Sequence, residues 1–284
     1  MKFSAYLIFT LLWSTLVYDP VAHWVWGGGW LGSYGVLDFA GGIVVHVTSG
    51  ISALAAALVI GKRKGYLKEA MTPHNLPMTV LGAGILWFGW FGFNAGSALS
   101  SGKLSTIAFV TTHIAAVSAT LTWMLIEWVQ HGKPTMFGAA TGAIAGLATI
   151  TPAAGFVSPM SALVIGIAAG LFCYTALNVK GKLGYDDSLD AFGVHGVGGA
   201  LGTLSAGLFA SLAINSGGAN GLFYGNARQF LVQAGGVAFV AIYSFIVSIV
   251  LFKVVDVMVG LRIEEDEEVQ GLDVTQHGEE GYFF

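Results

Sequence analysis

Long apolar runs that contain almost no charge constrain this chain more than any other feature. Hydrophobic residues make up 55% of its 284 residues, and charged residues only 10%. A soluble domain normally carries about 25% charged residues, because its surface faces water. A surface that faces lipid does not need them, provided that the backbone satisfies its own hydrogen bonds. The runs therefore predict an all-α fold, a polytopic transmembrane helical bundle. The chain has no basic patch for nucleic acid.

Eight apolar segments approach or exceed the roughly 20 residues that a membrane-spanning helix needs. They are Phe3–Val17, Val36–Ile60, Pro77–Leu99, Leu104–Val129, Met136–Ala153, Met160–Val179, Ala191–Ile214 and Phe230–Val259. We therefore divide the chain into a membrane domain, residues 1–262, and an acidic C-terminal tail, residues 263–284. The first segment also fits a secretory signal peptide, although no small-residue cleavage site follows it, or a longer span toward Val25 that kinks near Pro20.

Loop charges predict how the chain is oriented in the membrane. With eight spans both ends lie on one side, and that side receives ten of the twelve Lys and Arg residues. Because cytoplasmic loops carry an excess of Lys and Arg, we expect both termini in the cytoplasm and the protein in the cell membrane, inner or plasma. The tail opens with the acidic run Glu264–Glu268 and is interpreted as a solvated terminus, or else as a cytosolic interaction segment.

Two spans open with a similar pattern. Leu-Asp-Phe-Ala-Gly-Gly begins at Leu37 and is followed by His46, and Leu-Asp-Ala-Phe-Gly begins at Leu189 and is followed by His195. By the span count, one of these spans starts outside the membrane and the other inside. Inverted repeats of this kind are common in transporters, with the substrate site between them.

Ionisable groups inside spans are costly and usually mark a pathway. His46 and His195 lie inside their spans, and a neutral imidazole both donates and accepts hydrogen bonds and relays protons. Two facing imidazoles would suit a narrow pore for a small polar molecule; the alternative is that each is satisfied by a nearby backbone carbonyl. The chain has one cysteine, Cys173, and no cluster of carboxylates within its spans, so the sequence predicts no metal site and no cofactor.

Two residues near the predicted outer face suggest a cation site. Asp38, at the outer end of its span, either caps a helix N-terminus or attracts a cation, and the two roles are compatible. Trp26 precedes Gly27–Gly29, whose bare backbone leaves the indole face open. An indole face holds a small cation by about 2 kcal/mol when water is excluded. The alternative for such aromatic residues is an interface belt at the membrane surface.

The third span ends in Gly-Trp-Phe-Gly-Phe-Asn-Ala-Gly-Ser, from Gly89 to Ser97. Phe93 and Ser97 are four residues apart, so they share one helix face. A ring that obstructs a pore and a hydroxyl that accepts a hydrogen bond would act together there, whereas the alternative is ordinary aromatic packing.

The stretches PVAHWVWGGGWL, LDFAGGIVVH, GWFGFNAGSA and DDSLDAFGVHGVGG, together with the C-terminal tail, closely resemble the signatures of the ammonium transporter family over essentially the whole chain. The resemblance implies a homotrimer with one pore in each subunit. It implies an outer ammonium site at Trp26 and Ser97, with Asp38 stabilising the cation. It also implies further pore residues, which are the gate ring Phe93, the pore-lining Trp90, the paired His46 and His195, and the supporting acid Asp190.

The implied function is recruitment of ammonium or methylammonium, deprotonation at the outer vestibule, and passage of ammonia through an apolar pore with twin histidines. A PII-type signal protein on the cytosolic face is the implied partner. Family members usually have eleven spans, and Met1 starts at what resembles the fourth, so we expect a fragment or a degenerate member in which the first three are missing. The alternative functions are a non-transporting ammonium sensor or regulatory subunit, a Rhesus-type gas channel, which Trp26 disfavours, and a membrane enzyme, for which no catalytic motif is present.

Overall fold

The computed structural model describes residues 1–282, and every regular element in that range is helical, with no β-strand. The α-helices are α1 (Phe3–Trp13), α2 (Asp19–Val25), α3 (Trp30–Tyr34), α4 (Thr48–Ile60), α5 (Leu76–Gly96), α6 (Lys103–His131), α7 (Met136–Ile150), α8 (Pro159–Leu183), α9 (Val197–Phe209), α10 (Ala227–Val259) and α11 (Glu265–Gln270). The wider π-helical segments are Ser14–Tyr18, Gly42–Val47, Phe192–Gly196 and Asp273–His277, and one 3₁₀ turn covers Leu222–Tyr224.

Seven helical stretches among the described residues are long and apolar enough to cross a membrane. They are Phe3–Tyr34, Gly42–Ile60, Leu76–Gly96, Lys103–His131, Pro159–Leu183, Phe192–Phe209 and Ala227–Val259. The predicted transmembrane bundle is therefore confirmed, but its fifth segment is shorter than expected. That segment forms the 15-residue helix α7 and then continues as buried turns over residues 151–157. Irregular backbone at membrane depth is tolerated where protein buries it.

The first span is longer than the predicted Phe3–Val17 and runs on to Val25, as the alternative interpretation allowed. Pro20 has no N–H, so the backbone oxygen four residues earlier, at Leu16, loses its helical donor. The hydroxyl of Tyr243 on α10 donates to that oxygen at 2.5 Å. The π-helical segment Ser14–Tyr18 lies just before the proline. The helix thus continues through Pro20 because a neighbouring helix satisfies the freed carbonyl.

Small residues allow the spans to pack closely. A Cβ added at Gly146 on α7 would lie 2.5 Å from the backbone oxygen of Ala115 and 2.7 Å from the Cβ of Ala119, both on α6. These two alanines are themselves fully buried. Lipid provides no hydrophobic force between spans, so backbones that approach this closely supply the van der Waals contact that holds them together.

Both ends of the described chain lie at the same end of the bundle, which agrees with eight crossings when the short helix α7 is counted with the seven longer stretches. The backbone N–H of Lys2 donates to the oxygen of Leu261 at 2.8 Å, just after α10. The described part of the tail is anchored there as well, because Glu268 on α11 accepts hydrogen bonds at 2.8 Å from the Lys64 backbone and from the Arg262 guanidinium. The tail is therefore solvated but attached to the membrane domain. We call this side of the bundle the tail end.

Candidate functional site

The two predicted histidines occupy matching positions in the fold. His46 lies in the π-helical segment Gly42–Val47, which leads into α4, and His195 lies in the π-helical segment Phe192–Gly196, which leads into α9. Each histidine therefore stands at the start of a span that opens with one wider turn. π-helical turns are rare and occur frequently at functional sites. The similar sequence patterns that open these two spans therefore form the same local structure.

Glycines bring these two half-spans into direct contact. A Cβ on Gly50 would collide with the backbone of Gly196. A Cβ on Gly199 would lie 2.7 Å from the oxygen of Gly42 and 2.7 Å from the Cβ of His46. Only glycine permits such an approach of one backbone to another. The crossing places the two π-helical segments side by side.

The imidazoles of His46 and His195 meet at this crossing. Their Nδ1 atoms are 3.2 Å apart, and the rings are nearly parallel, with centroids 5.1 Å apart. One Nδ1 must carry a proton and the other must accept it, so the pair shares a single hydrogen bond. His46 is buried, at 3% exposure, and its Nε2 has no protein partner among the described residues. A buried nitrogen without a partner is available to a small hydrogen-bonding molecule.

Aromatic rings from α5 cover His46. Trp90 stacks on the imidazole with a centroid distance of 5.5 Å, and Phe93 presents its edge at 6.1 Å. The Trp90 indole N–H donates to the hydroxyl of Thr151 at 2.9 Å, which fixes the ring. The structure thus brings four of the predicted residues into one cluster, in which His46 and Trp90 are buried and His195 and Phe93 are partly buried.

Trp26 and Asp38 lie together at the end of the bundle opposite the tail, which we call the Trp26 end. The indole Nε1 of Trp26 donates to the backbone oxygen of Asp38 at 2.8 Å, and the residue Trp26 is 44% exposed. Both residues line a cavity of about 560 Å³ that is open to the outside. The indole is therefore held at one edge while much of its surface stays accessible.

The carboxylate of Asp38 acts as a helix cap. It is 7% exposed and accepts hydrogen bonds at 2.6–3.1 Å from four successive backbone N–H groups, those of residues 41–44. These are the donors that the start of the Gly42–Val47 segment leaves without helical acceptors. Each oxygen of Asp38 accepts two of them, so the structure shows the capping role that the sequence left open. Asp38 thereby connects the Trp26 indole to the segment that carries His46.

Ser97 is not among the residues that line that cavity. Its hydroxyl, at the C-terminal end of α5, donates to the backbone oxygen of Phe93 at 2.8 Å. Of the residues that the structure describes, Trp26 and Asp38 line the cavity at the Trp26 end and Ser97 does not. The hydroxyl oxygen keeps lone pairs that are able to accept a hydrogen bond.

Asp190 lies at the tail end and pairs with a lysine. Its carboxylate bonds the ammonium of Lys180 on α8, and its φ of +55° is unusual for a residue other than glycine. Burial raises the pKa of the Asp190 carboxyl, and the Lys180 hydrogen bond opposes that rise. Asp190 and His195 both line a cavity of about 760 Å³ at this end, so the predicted supporting acid shares a cavity with the second histidine.

The residue that caps the second half-span was missed by the sequence analysis. The carboxylate of Asp187, which is 6% exposed, accepts the backbone N–H of Phe192 at 2.8 Å. Asp187 therefore caps the segment of His195 through one backbone hydrogen bond, where Asp38 accepts four at the segment of His46. Asp187 belongs to a run of acids, with Asp186 and Asp190, and that run was a signal that more than one acid precedes the histidine.

The chain is similar to known proteins over nearly its whole length. The model of the Ammonium Transporter Family matches residues 1–282. An ammonium transporter of Bacillus subtilis is 52% identical over 283 residues, which are 99% of this chain and 70% of that protein. An ammonium transporter of Archaeoglobus fulgidus is 48% identical over 281 residues, which are 99% of this chain and 71% of that protein.

Solved structures agree with this comparison. The crystal structure of Candida albicans Mep2 superposes with a TM-score of 0.87 at 39% identity, over 94% of this chain and 61% of that one. Saccharomyces cerevisiae Mep2 gives a TM-score of 0.88 at 37% identity, over 94% of this chain and 62% of that one. The chain thus spans about two thirds of the length of these relatives.

Proposed function

The chain belongs to the ammonium transporter family, whose members are transporters and not enzymes, and on that premise we propose that it binds ammonium at the Trp26 end and conducts ammonia past His46 and His195. The contact between the two imidazoles carries this proposal. It joins two spans of inverted orientation through the only kind of side chain that exchanges protons readily near neutral pH. The first step, capture of the cation, uses the exposed indole of Trp26.

Capture relies on the electron-rich face of an aromatic ring. The Trp26 indole is fixed at its N–H by Asp38 and accessible over nearly half of its surface. A small cation over an indole gains about 0.5–2 kcal/mol, with more as water is excluded. Asp38 contributes by holding the ring and the helix start, since its oxygens are already occupied by backbone donors. Ser97 accepts a hydrogen bond from the bound ammonium in this proposal, and its partner Phe93 is the ring at the pore entrance.

Loss of a proton must precede passage through the buried cluster. An ion inside the membrane costs at least about 2.5–3.5 kcal/mol, whereas a neutral molecule avoids that penalty. Ammonium releases its proton to become ammonia, and the ammonia then hydrogen bonds in turn to the imidazoles of His46 and His195. The free Nε2 of His46 supplies one such contact. The proton follows separately or is relayed through the pair. Potassium carries no proton to lose, so the same barrier excludes it.

Ammonia leaves by the cavity at the tail end, which is lined by Asp190, the partner of Lys180. We place this end in the cytoplasm and the Trp26 end outside, in the cell membrane. The ten-to-two distribution of Lys and Arg supports this orientation, since Lys2, Arg63, Lys64 and Arg262 all make contacts at the tail end. A homotrimer, and a PII-type signal protein docking at the tail end, remain part of the proposal because they follow from the family resemblance.

Uptake of labelled methylammonium tests the proposal. The chain is expressed in cells that lack their own ammonium transporters, and its insertion is measured in parallel. We expect saturable uptake above the empty-vector level, which ammonium inhibits by competition and potassium does not. Clean insertion without saturable uptake, or equal inhibition by potassium, would contradict the proposed function.

A further inference from the structure

A glutamine in the middle of an apolar run is completely buried. Gln233 lies on α10 and is 0% exposed. Its amide oxygen accepts the backbone N–H of Leu37 at 2.7 Å, and its amide nitrogen donates to the backbone oxygen of the same residue at 2.7 Å. The amide nitrogen also donates to the oxygen of Thr203 at 3.1 Å, and the amide oxygen receives the Gln229 side chain at 3.3 Å. The amide therefore uses all four of its hydrogen-bonding positions.

The residue that this amide holds is the direct neighbour of Asp38. Leu37 belongs to the non-helical loop of residues 35–41. The backbone groups of this loop therefore have no helical hydrogen-bond partners. Among the described residues, the Gln233 amide is the partner of both the N–H and the oxygen of Leu37. Gln229, one turn earlier on α10, holds the same loop by donating to the oxygen of Gly35 at 2.8 Å. Two glutamines on one helix thus fasten the loop that carries Asp38.

The same amide also reaches the second half-span. Thr203 lies on α9, eight residues after His195. Space for the side chain is left by Gly207, where an added Cβ would lie 3.0 Å from the Cγ of Gln233. A similar gap lies at Gly236, where an added Cβ would meet Val36 at 3.0 Å. Gln233 therefore sits where the loop of residues 35–41, α9 and α10 converge.

We propose that Gln233 is a positioning residue for cation capture, an inference that rests on the proposed function. It acts through its hydrogen bonds to Leu37, the peptide link from Leu37 to Asp38, and the hydrogen bond from the Trp26 indole to Asp38. The backbone oxygen of Asp38 orients the indole N–H, and that oxygen follows directly after the peptide group clamped by Gln233. Removing the amide leaves the backbone N–H and oxygen of Leu37, which is partly buried, without their partner. They must then move toward water or toward new partners, because buried polar groups are rarely left unpaired. The Trp26 indole moves with them.

The test separates capture from conduction. Gln233→Met keeps the length of the side chain and removes all four hydrogen bonds. We expect the KM for methylammonium to rise roughly three- to tenfold, the range that follows from partial loss of a cation–π contact, with Vmax per inserted molecule within about twofold. The matched control is Ser248→Ala, which removes a buried hydrogen bond of 2.8 Å between α10 and Ser52, far along the helix from the loop. The control should leave KM unchanged.

Three results would overturn the inference: an unchanged KM in Gln233→Met, a fall in Vmax alone, or an equal rise in KM in Ser248→Ala. If Gln233→Met fails to insert, Gln229→Met takes its place, because it removes the contacts of Gln229 with Gly35 and with the Gln233 amide but leaves Gln233 bonded to Leu37. That variant should raise KM by a smaller factor, and no rise in it would equally overturn the inference.

Hydrogen–deuterium exchange tests whether Gln233 holds the loop independently of whether the protein transports ammonium. In the purified proteins, peptides covering residues 35–44 should exchange faster in Gln233→Met than in the parent or in Ser248→Ala. Equal exchange in all three would overturn the clamp even if uptake behaves as proposed. If the parent shows no saturable uptake but exchange rises as expected, the proposed function fails while the clamp on the loop stands.

Discussion

The indole Nε1 of Trp26 and the backbone oxygen of Asp38 form a hydrogen bond of 2.8 Å at the mouth of the candidate pore. The carboxylate of the same aspartate caps the π-helical segment that carries His46. One residue therefore connects the ring that faces outside with the helix start that leads to the buried imidazoles. The predictions for these two residues differ, because one of them is exposed and the other is buried.

Replacing Trp26 should weaken capture without unfolding the protein. Trp26→Leu removes the aromatic face from an exposed position, so we expect the KM for methylammonium to rise about tenfold, while Trp26→Phe should raise it about threefold. The measurement is uptake over a range of methylammonium concentrations. Trp30→Leu is the control, since Trp30 is also exposed but packs on Trp24 and Phe239. An equal rise in KM in that control would show that the effect is general to the aromatic surface.

Replacing Asp38 should instead destabilise the fold. In Asp38→Asn the amide NH₂ faces one pair of the four backbone donors, which then lose their acceptor. Each buried group left unpaired costs about 1–3 kcal/mol, so for two groups we expect a loss of about 2–6 kcal/mol in the free energy of unfolding. Thermal unfolding in detergent measures it, with the exposed Asp19→Asn as control. A protein of unchanged stability that has lost uptake would show that the Asp38 charge acts on the cation itself.

The crossing of the two half-spans should tolerate no side chain at Gly50. Gly50→Ala places a methyl group against the backbone of Gly196, and such overpacking costs typically about 1–3 kcal/mol. Gly84→Ala is the matched control, because a Cβ there has nothing within 4 Å and the helical position should gain about 0.5–1 kcal/mol. Thermal unfolding of both variants checks the pair. Equal effects would contradict the close approach of the half-spans.

Acid should weaken the tail end through Asp186. Burial raises the pKa of this carboxyl, but the side-chain and backbone hydrogen bonds from Arg63 outweigh it, and the net pKa lies below the usual 3.8. A lowered pKa means that the charged form is favoured by folding, so its contribution is full above about pH 4 and is lost as the pH falls through the folded-state pKa. Thermal unfolding from pH 3 to pH 7 should therefore show a steeper acid loss in the parent than in Asp186→Asn. The exposed Asp273→Asn should follow the parent, and identical slopes in the parent and in Asp186→Asn would refute this assignment.

Much of the fold follows from hydropathy, and the exceptions have local causes. Each predicted apolar segment corresponds to a helix, because length and lack of charge determine which stretches enter lipid. The extent of the first span depends on Tyr243, more than 200 residues away in sequence. Its hydroxyl donates the hydrogen bond to Leu16 that Pro20, which has no N–H, cannot donate. The short α7 ends in buried turns that hydropathy does not distinguish from helix. The π-helical segments were not predicted, since one extra residue in a turn leaves the apolar pattern almost unchanged.

The site residues that could be predicted from the sequence are reactive side chains that are rare within apolar runs. Histidines within apolar runs are rare, so His46 and His195 stood out, and their contact is visible only in three dimensions. Asp190 was predicted as the supporting acid before the second histidine, whereas the cap of that half-span, Asp187, was not predicted. Asp190 itself takes a positive φ just before the helix begins. Gln233 is a polar residue within an apolar run, but the sequence does not show its role, since its partner Leu37 lies 196 residues earlier in the chain.

The central claim, that the paired imidazoles carry conduction, is tested most directly by methylammonium uptake in the double variant His46→Ala, His195→Ala. His113→Ala is the control, because His113 also lies in a span but is exposed beside Trp87 and Phe91, outside the buried cluster. All three proteins are compared at equal membrane insertion. We predict saturable uptake by the parent and by His113→Ala, and its loss in the double variant. Saturable uptake by the double variant at the rate of the parent would contradict the account.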